Sequence, residues 1–145
     1  MGSMDSEDAC WLDGLLKNAA AAQRLRLERA LRPCELSPAQ FEAMRHVNKR
    51  ENLSGAELAR VCALSPQTIG VVVENLEKKA LVRRSADSSN PRIQRICLTD
   101  GGVSVLKRAV VCAAKAVGPP IVDAMRGEDR AGVVRILTKL ARGER

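Results

Sequence analysis

Apolar positions recur at helical spacing along most of the chain, and one short region alternates instead. Ile69, Val72, Val73 and Leu76 fall at i, i+3, i+4 and i+7, which gives a helix one apolar face. Ser65 is a suitable N-cap for it, and Pro66 takes the first helical position, where a missing N–H costs nothing. Gln67, Thr68, Gly70 and Val71 lie off the apolar face, in the first two turns. Just upstream, Gly55 to Val61 forms a second short helix whose Ala56, Leu58, Ala59 and Cys62 turn inward. The pair reads as a helix-turn-helix: a rod held from behind, with its leading half free to enter a DNA major groove.

The alternating region follows at once. Leu81-Val82-Arg83-Arg84 reads as a strand, Ser85 to Pro91 as a polar turn, and Arg92 to Leu98 as a returning strand. Asp, Ser, Asn and Pro in the turn suit a protruding loop. Arg83, Arg84, Arg92 and Arg95 surround it against one acid, Asp87. A basic hairpin directly after a helix-turn-helix is a wing, able to reach a minor groove while the helix fills the major one.

Outside this centre the pattern is helical. Trp11, Leu12, Leu15, Leu16, Ala19 and Ala22 stripe a helix from about Ala9 to Leu31, after a polar leader over residues 1–8. Ser37 and Pro38 open a helix to about Asn48 with Phe41, Met44 and Val47 inward, and Glu51-Asn52-Leu53 reads as an extended piece beside the wing. Thr99 caps a helix with Val103, Leu106, Val110 and Ala114 on one side, which Gly118-Pro119-Pro120 is expected to break or kink. A last helix spans about Glu128 to Ala141, with Val133, Ile136, Leu137 and Leu140 on one face. The terminal helices are more apolar than a small winged core needs. They form either that core's own cover or a two-fold interface.

Composition changes this picture in three ways. The chain has 145 residues, enough for one domain, and its 46% apolar content includes one Trp, one Phe and no Tyr, so the core is aliphatic. The formal net charge of +7 favours a polyanionic partner. Five dispersed cysteines without a C-x-x-C pair argue against a zinc site or a secreted disulfide framework, and no apolar run reaches membrane-spanning length. With an acidic rather than basic N-terminus, a cytoplasmic protein is expected. No nucleophile elbow, P-loop, G-x-G-x-x-G or H-E-x-x-H is present, and a single histidine leaves little acid–base chemistry, so neither an enzyme nor a cofactor is expected.

The sequence resembles the MarR family of winged-helix transcriptional regulators. The resemblance rests on Leu36-Ser37-Pro38-Ala39-Gln40-Phe41, Leu58-Ala59, Leu64-Ser65-Pro66-Gln67-Thr68, Leu76 to Arg84, Asp87, Arg92, Leu98-Thr99 and Gly102, and extends over about residues 12–142. The family's wing pattern, D-x-R-x5-L-T, falls on Asn90, Arg92, Leu98 and Thr99, with asparagine in place of the first acid. The resemblance implies a mainly α (α+β) fold, a winged helix-turn-helix core over 36–99. It also implies dimerisation helices over 9–35 and 100–145. It further implies a homodimeric regulator, usually a repressor, which binds a pseudo-palindromic double-stranded DNA site and is released by a small ligand or by oxidation.

Gln67 and Thr68 are then the candidates for base or phosphate contact beside Ser65. Gly70 and Val71 depart from the polar and basic residues common there: Val71 suits a thymine methyl and Gly70 a close backbone approach. Arg92 is the wing-tip candidate, braced by Asp87 or Asn90. Arg83, Arg84 and Arg95 are either phosphate partners or solvated strand charges. Family members bind small aromatic or anionic effectors between the dimer helices and the winged core, where Lys17, Arg45 and His46 are candidates. Cys10 in the first helix is the candidate redox residue, although the reactive cysteine of peroxide-sensing members aligns nearer Asp13. The competing reading is a winged helix used for protein contacts without specific DNA binding.

Overall fold

Side-chain caps set where the helices begin. In the computed structural model, which describes residues 4–143, Asp5 opens α1 (Ser6–Leu31), accepting from the Asp8 N–H at 2.8 Å while the Asp8 carboxylate accepts from the Asp5 N–H. This reciprocal pair starts the helix inside the stretch expected to be a loose leader, because two of its orphan donors find carboxylate acceptors. Residues 1–3 of that stretch lie outside the described residues. A single 3-10 turn, Arg32–Cys34, follows α1. Ser37 and Gln40 then form a second capping box for α2 (Pro38–Lys49), and Ser54 and Glu57 a third for α3 (Gly55–Val61). Ser65 caps α4 (Pro66–Lys78), and Thr99 caps α5 (Asp100–Ala124). The last helix is α6 (Arg130–Arg142).

Three short strands form one antiparallel sheet in the order β1-β3-β2, where β1 is Leu53–Ser54, β2 is Val82–Ala86 and β3 is Gln94–Leu98. The hairpin register pairs Val82 with Leu98, Arg84 with Ile96 and Ala86 with Gln94; Leu53 of β1 pairs with Ile96 from the other side. A third strand does lie beside the wing, but it is Leu53–Ser54: of the expected extended piece only Leu53 belongs to it, and Glu51 and Asn52 form a turn in which Asn52 takes a positive φ of 63°. The returning strand begins at Gln94 rather than Arg92, because the Ile93 N–H donates to the Asn90 carbonyl and keeps that stretch in the turn.

The core is aliphatic, as composition requires: Leu31, Met44, Leu58, Ile69, Val73 and Leu76 are its largest fully buried side chains. Burial of each such residue contributes about 1.5–3 kcal/mol. It joins α1, α2, α4 and α5 around the sheet, with Phe41 buried among them. Ala56 does not face inward as expected; it is exposed beside α4.

The proline pair does not end α5, which continues from Asp100 through Pro119 and Pro120 to Ala124. Each proline removes one backbone donor, and at Pro119 the preceding Gly118 has no Cβ to clash with the ring, which eases the first of the two into the helix. The apolar stripes of the terminal helices do not cover this core. Trp11, Leu12, Leu15 and Leu16 on α1, and Val134, Ile136, Leu137 and Leu140 on α6, are exposed. No single helix among the described residues is long and apolar enough to cross a membrane.

Candidate nucleic-acid interface

α4 is braced along its back and open along its front. Ile69, Val72, Val73 and Leu76 are buried, whereas Gln67, Thr68 and Val71 are exposed. At its leading end the Ser65 Oγ accepts from the Thr68 N–H at 3.1 Å, and the two hydroxyls lie 2.8 Å apart. Ser65 therefore fixes the cap and the Thr68 rotamer together. Gly70 has nothing within 4 Å of where a Cβ would stand, so no neighbour within the chain demands a glycine there.

Between α4 and the hairpin lies a hollow of about 460 Å³. Gly70 and Ala56 border it on the helix side, and Ile93, Arg84 and Arg92 on the hairpin side. Arg84 is also held by Glu77 of α4, Nε to Oε2 3.6 Å. Arg83 and Arg92 are exposed. The surface thus alternates small, apolar and cationic groups across a concave front, which suits a phosphate backbone passing between helix and wing.

The wing is fastened by a network that the pattern of residues showed only in part. Asp87 accepts from the Ser89 hydroxyl at 2.5 Å and from the Ser89 and Asn90 N–H groups. Its other oxygen accepts from Arg95 Nε at 3.0 Å. The Ser89 hydroxyl first, and the Arg95 guanidinium next, hold the Asp87 carboxyl down at about 2. Arg95 also donates to Glu57 of α3 and to the Asn52 carbonyl, both at 3.1 Å. Its side chain retains 22% exposure, and its Nε and Nη1 donate to groups of the protein itself. Glu57 is held below the usual carboxylate range, first by the Ser54 N–H and hydroxyl and less by Arg95. Asn90 contributes at the turn itself, accepting from the Arg92 N–H at 3.2 Å.

Asp87 therefore braces Arg95 rather than the Arg92 side chain, while Asn90 braces the Arg92 backbone. The anchors Glu57 and Asn52 were not singled out from sequence. The Ser54-x-x-Glu57 spacing is that of a capping box and could have marked Glu57, but no local signal shows that the same carboxylate also receives Arg95.

The base of the wing is locked to α5. The Thr99 hydroxyl donates to the Ala80 carbonyl at 2.7 Å and accepts from the Gly102 N–H at 2.9 Å. A Cβ on Gly102 would stand 1.9 Å from the Leu81 carbonyl oxygen, so this contact requires glycine. Lys79, just after α4, donates to the Glu35 carbonyl before α2.

The effector candidates separate. A second hollow, about 480 Å³, lies between α2 and α5, with Leu106, Val110 and Val111 as an apolar floor and Arg45, Lys49 and Lys107 as cationic lining. Arg45 is oriented by Glu42 at 3.1 Å and by the Phe41 ring, 5.6 Å from its centroid. Lys17 is paired with Asp13 on α1 at 2.6 Å, and neither it nor half-buried His46 lines that hollow. Cys10 is exposed on α1.

A braced helix with an open leading end, set beside a basic hairpin tied to the same core, defines a winged helix-turn-helix protein. Residues 35–92 match the model of the MarR family. The HTH-type transcriptional repressor Rv2887 of Mycobacterium tuberculosis is 36% identical over 115 residues, covering 78% of this chain and 83% of that one. The chain belongs to the MarR family of transcriptional regulators.

The fold is shared with Sco3205, a MarR family regulator from Streptomyces coelicolor solved in complex with DNA. That structure has a TM-score of 0.85 and 24% identity, with 99% of this chain and 94% of that one covered. CouR of Rhodococcus jostii RHA1, solved bound to p-coumaroyl-CoA, superposes with a TM-score of 0.78 at 22% identity, covering 90% and 91%.

Proposed function

We propose that the chain acts in the cytoplasm as a homodimeric repressor that binds double-stranded DNA at a pseudo-palindromic site, without a catalytic role. The observation that carries this reading is the exposed front of α4, with Gln67, Thr68 and Val71 projecting beside a wing that presents Arg92. In this reading Ser65 and Thr68 form a rigid cap near a phosphate, Gln67 offers its amide to a base edge, and Val71 lies against a thymine methyl. Arg83 and Arg84 take phosphates, Arg92 the minor groove, and Asn90 sets the Arg92 backbone. Arg95, by its partners, positions the wing. The exposed stripes of α1 and α6 form the two-fold interface, so that 9–35 and 100–145 are dimerisation segments around the 36–99 core.

The hollow between α2 and α5 is the effector site in this reading. An apolar floor under Arg45, Lys49 and Lys107 fits a small aromatic or otherwise apolar anion. Selection of genomic fragments by the purified protein, beginning with the region upstream of its own gene, tests the whole reading. One enriched inverted repeat, bound less tightly as salt rises, is expected. Absence of duplex binding even in dilute buffer would overturn it.

A second reading has one observation in its favour. Gly70 and Val71 leave an apolar patch where polar readers are usual, which suits a protein partner. Salt-insensitive capture of a protein, without any preferred DNA segment, would favour that reading.

A further inference from the structure

Lys79, Ala80 and Leu81, which join α4 to β2, are bonded to both ends of the winged core. Ala80 and Leu81 close α4 in a Schellman arrangement. The Leu81 N–H donates to the Leu76 carbonyl at 3.0 Å, and the Ala80 N–H to the Glu77 carbonyl at 2.8 Å. That arrangement takes a left-handed residue, and Ala80 supplies it at φ 56° without the glycine that is usual there. Its methyl leaves this junction fewer conformations than a glycine would. On one side the Ala80 carbonyl accepts from the Thr99 hydroxyl at 2.7 Å, and the Leu81 carbonyl from the Thr99 N–H at 3.1 Å. On the other side Lys79 Nζ donates to the Glu35 carbonyl, 44 positions away. Glu35 is also left-handed, at φ 54°, and its N–H donates to the Arg32 carbonyl just after α1. The points where the chain enters and leaves the winged core, Glu35 and Thr99, are thus bonded to adjacent residues, and α1 packs on α5 beyond them.

We propose, resting on the dimeric DNA-binding reading above, that Lys79 is a positioning residue: it stiffens the joint between the winged core and the dimerisation helices, and so sets which half-site spacing the dimer accepts. Thr99 secures the joint on the α5 side, and Lys79 secures it on the α1 side. Gln67 lies twelve residues before Lys79 on α4, about 18 Å along the helix. A rotation of about 10° at the joint therefore moves the recognising end by about 3 Å, close to one base-pair step. Lys79 is exposed, so losing its single hydrogen bond costs little stability. What it restricts is an angle, and a two-fold dimer applies that angle twice.

Duplexes carrying the selected inverted repeat, with one base pair inserted or deleted between the half-sites, test this on the full chain. Each change alters the separation by about 3.4 Å and the relative rotation by about 34°, which a stiff joint resists. The parent should lose about tenfold or more in affinity on either change. Lys79→Met keeps the apolar stem and removes the donor. It should lose only about threefold or less, while its Tm stays within about 4 °C of the parent value. Lys79→Arg, which can still donate to a carbonyl, should keep the parent's spacing preference. A Lys79→Met chain as selective as the parent, or a Lys79→Arg chain as tolerant as Lys79→Met, would overturn the proposal. So would equal weakening on every duplex with a lower salt slope, which would make Lys79 a phosphate contact. A parent that binds the repeat but accepts all three spacings equally would overturn this proposal alone. A parent that binds no duplex would overturn the DNA-binding reading and the proposal with it.

Discussion

Arg95 on β3 and Asp87 at the start of the wing turn are joined Nε to Oδ1 at 3.0 Å, across eight positions of sequence. The same guanidinium reaches Glu57 at the first turn of α3. One side chain thus couples the angle of the wing to the helix-turn-helix. Because these donors are directed at groups of the protein itself, Arg95 holds the wing in place, whereas Arg92 is exposed at the turn and is proposed above as the residue that reaches the DNA.

The two arginines should therefore fail differently. Arg92→Ala should weaken duplex binding and lower the slope of log K against log salt by about 1, as expected for one lost ionic contact. Arg95→Ala should also weaken binding, but leave the slope nearly as in the parent protein, because no phosphate partner is removed. Fluorescence anisotropy across a salt series distinguishes them. A slope reduced equally by both substitutions would mean that Arg95 itself contacts DNA.

The Asp87 network should also appear in acid stability. Its carboxyl is held at about 2 in the folded chain, against an ordinary 3.8. A depressed carboxyl contributes stability that is fully present above its unfolded value and lost as pH falls through the folded one. The difference in Tm between the parent and Asp87→Asn should therefore be constant above about pH 5 and shrink between about pH 4 and pH 2. A difference that stays constant down to pH 2 would show that the carboxylate charge contributes nothing to the fold.

The parts legible in sequence were those governed by local rules. Ser37, Ser65 and Thr99 each cap a helix through their own side chains, and Ile69, Val72, Val73 and Leu76 are all buried as their spacing required. Asp5 was missed because an acidic leader and an acidic capping box have the same composition. Pro119 and Pro120 do not break α5 as one of the two expected outcomes required, because a missing donor weakens a helix without having to end it. The Arg95 contacts with Asn52 and Glu57 span 43 and 38 positions, beyond the reach of any periodicity.

Gly70 offers a test in which stability and affinity move in opposite directions. It lies inside α4 with open space where a Cβ would be, so Gly70→Ala should stabilise the helix by about 0.5–1 kcal/mol. The same methyl would project into the hollow between α4 and the wing and obstruct a close backbone approach. A higher Tm with weaker DNA binding is expected. Binding unchanged by the methyl would show that no DNA strand enters that hollow. Its neighbour Val71, exposed at 58%, should alter which base is preferred when changed to Ala, measured by selection from random duplexes.

The exposed stripes of the terminal helices make a prediction about assembly. Trp11 is 65% and Leu140 60% exposed, and Leu16, Leu137 and Ile136 are likewise uncovered. Such patches on α1 and α6 are too apolar for solvent alone and are joined to the winged core through α5, which packs on α1. Leu16→Glu combined with Leu137→Glu would place charge in an interface that could not solvate it. The double variant should sediment as a monomer while its helix content is retained, because neither side chain belongs to the buried core. Binding to an inverted repeat should fall by about 100-fold or more, since the second half-site no longer benefits from the effective concentration that dimerisation supplies. Binding to a single half-site should change little. Sedimentation velocity and anisotropy on both duplexes make the comparison. A variant that remains dimeric would move the interface off these two stripes, and a monomer that still bound the full repeat as tightly as the parent would remove the two-fold symmetry from the recognition mechanism.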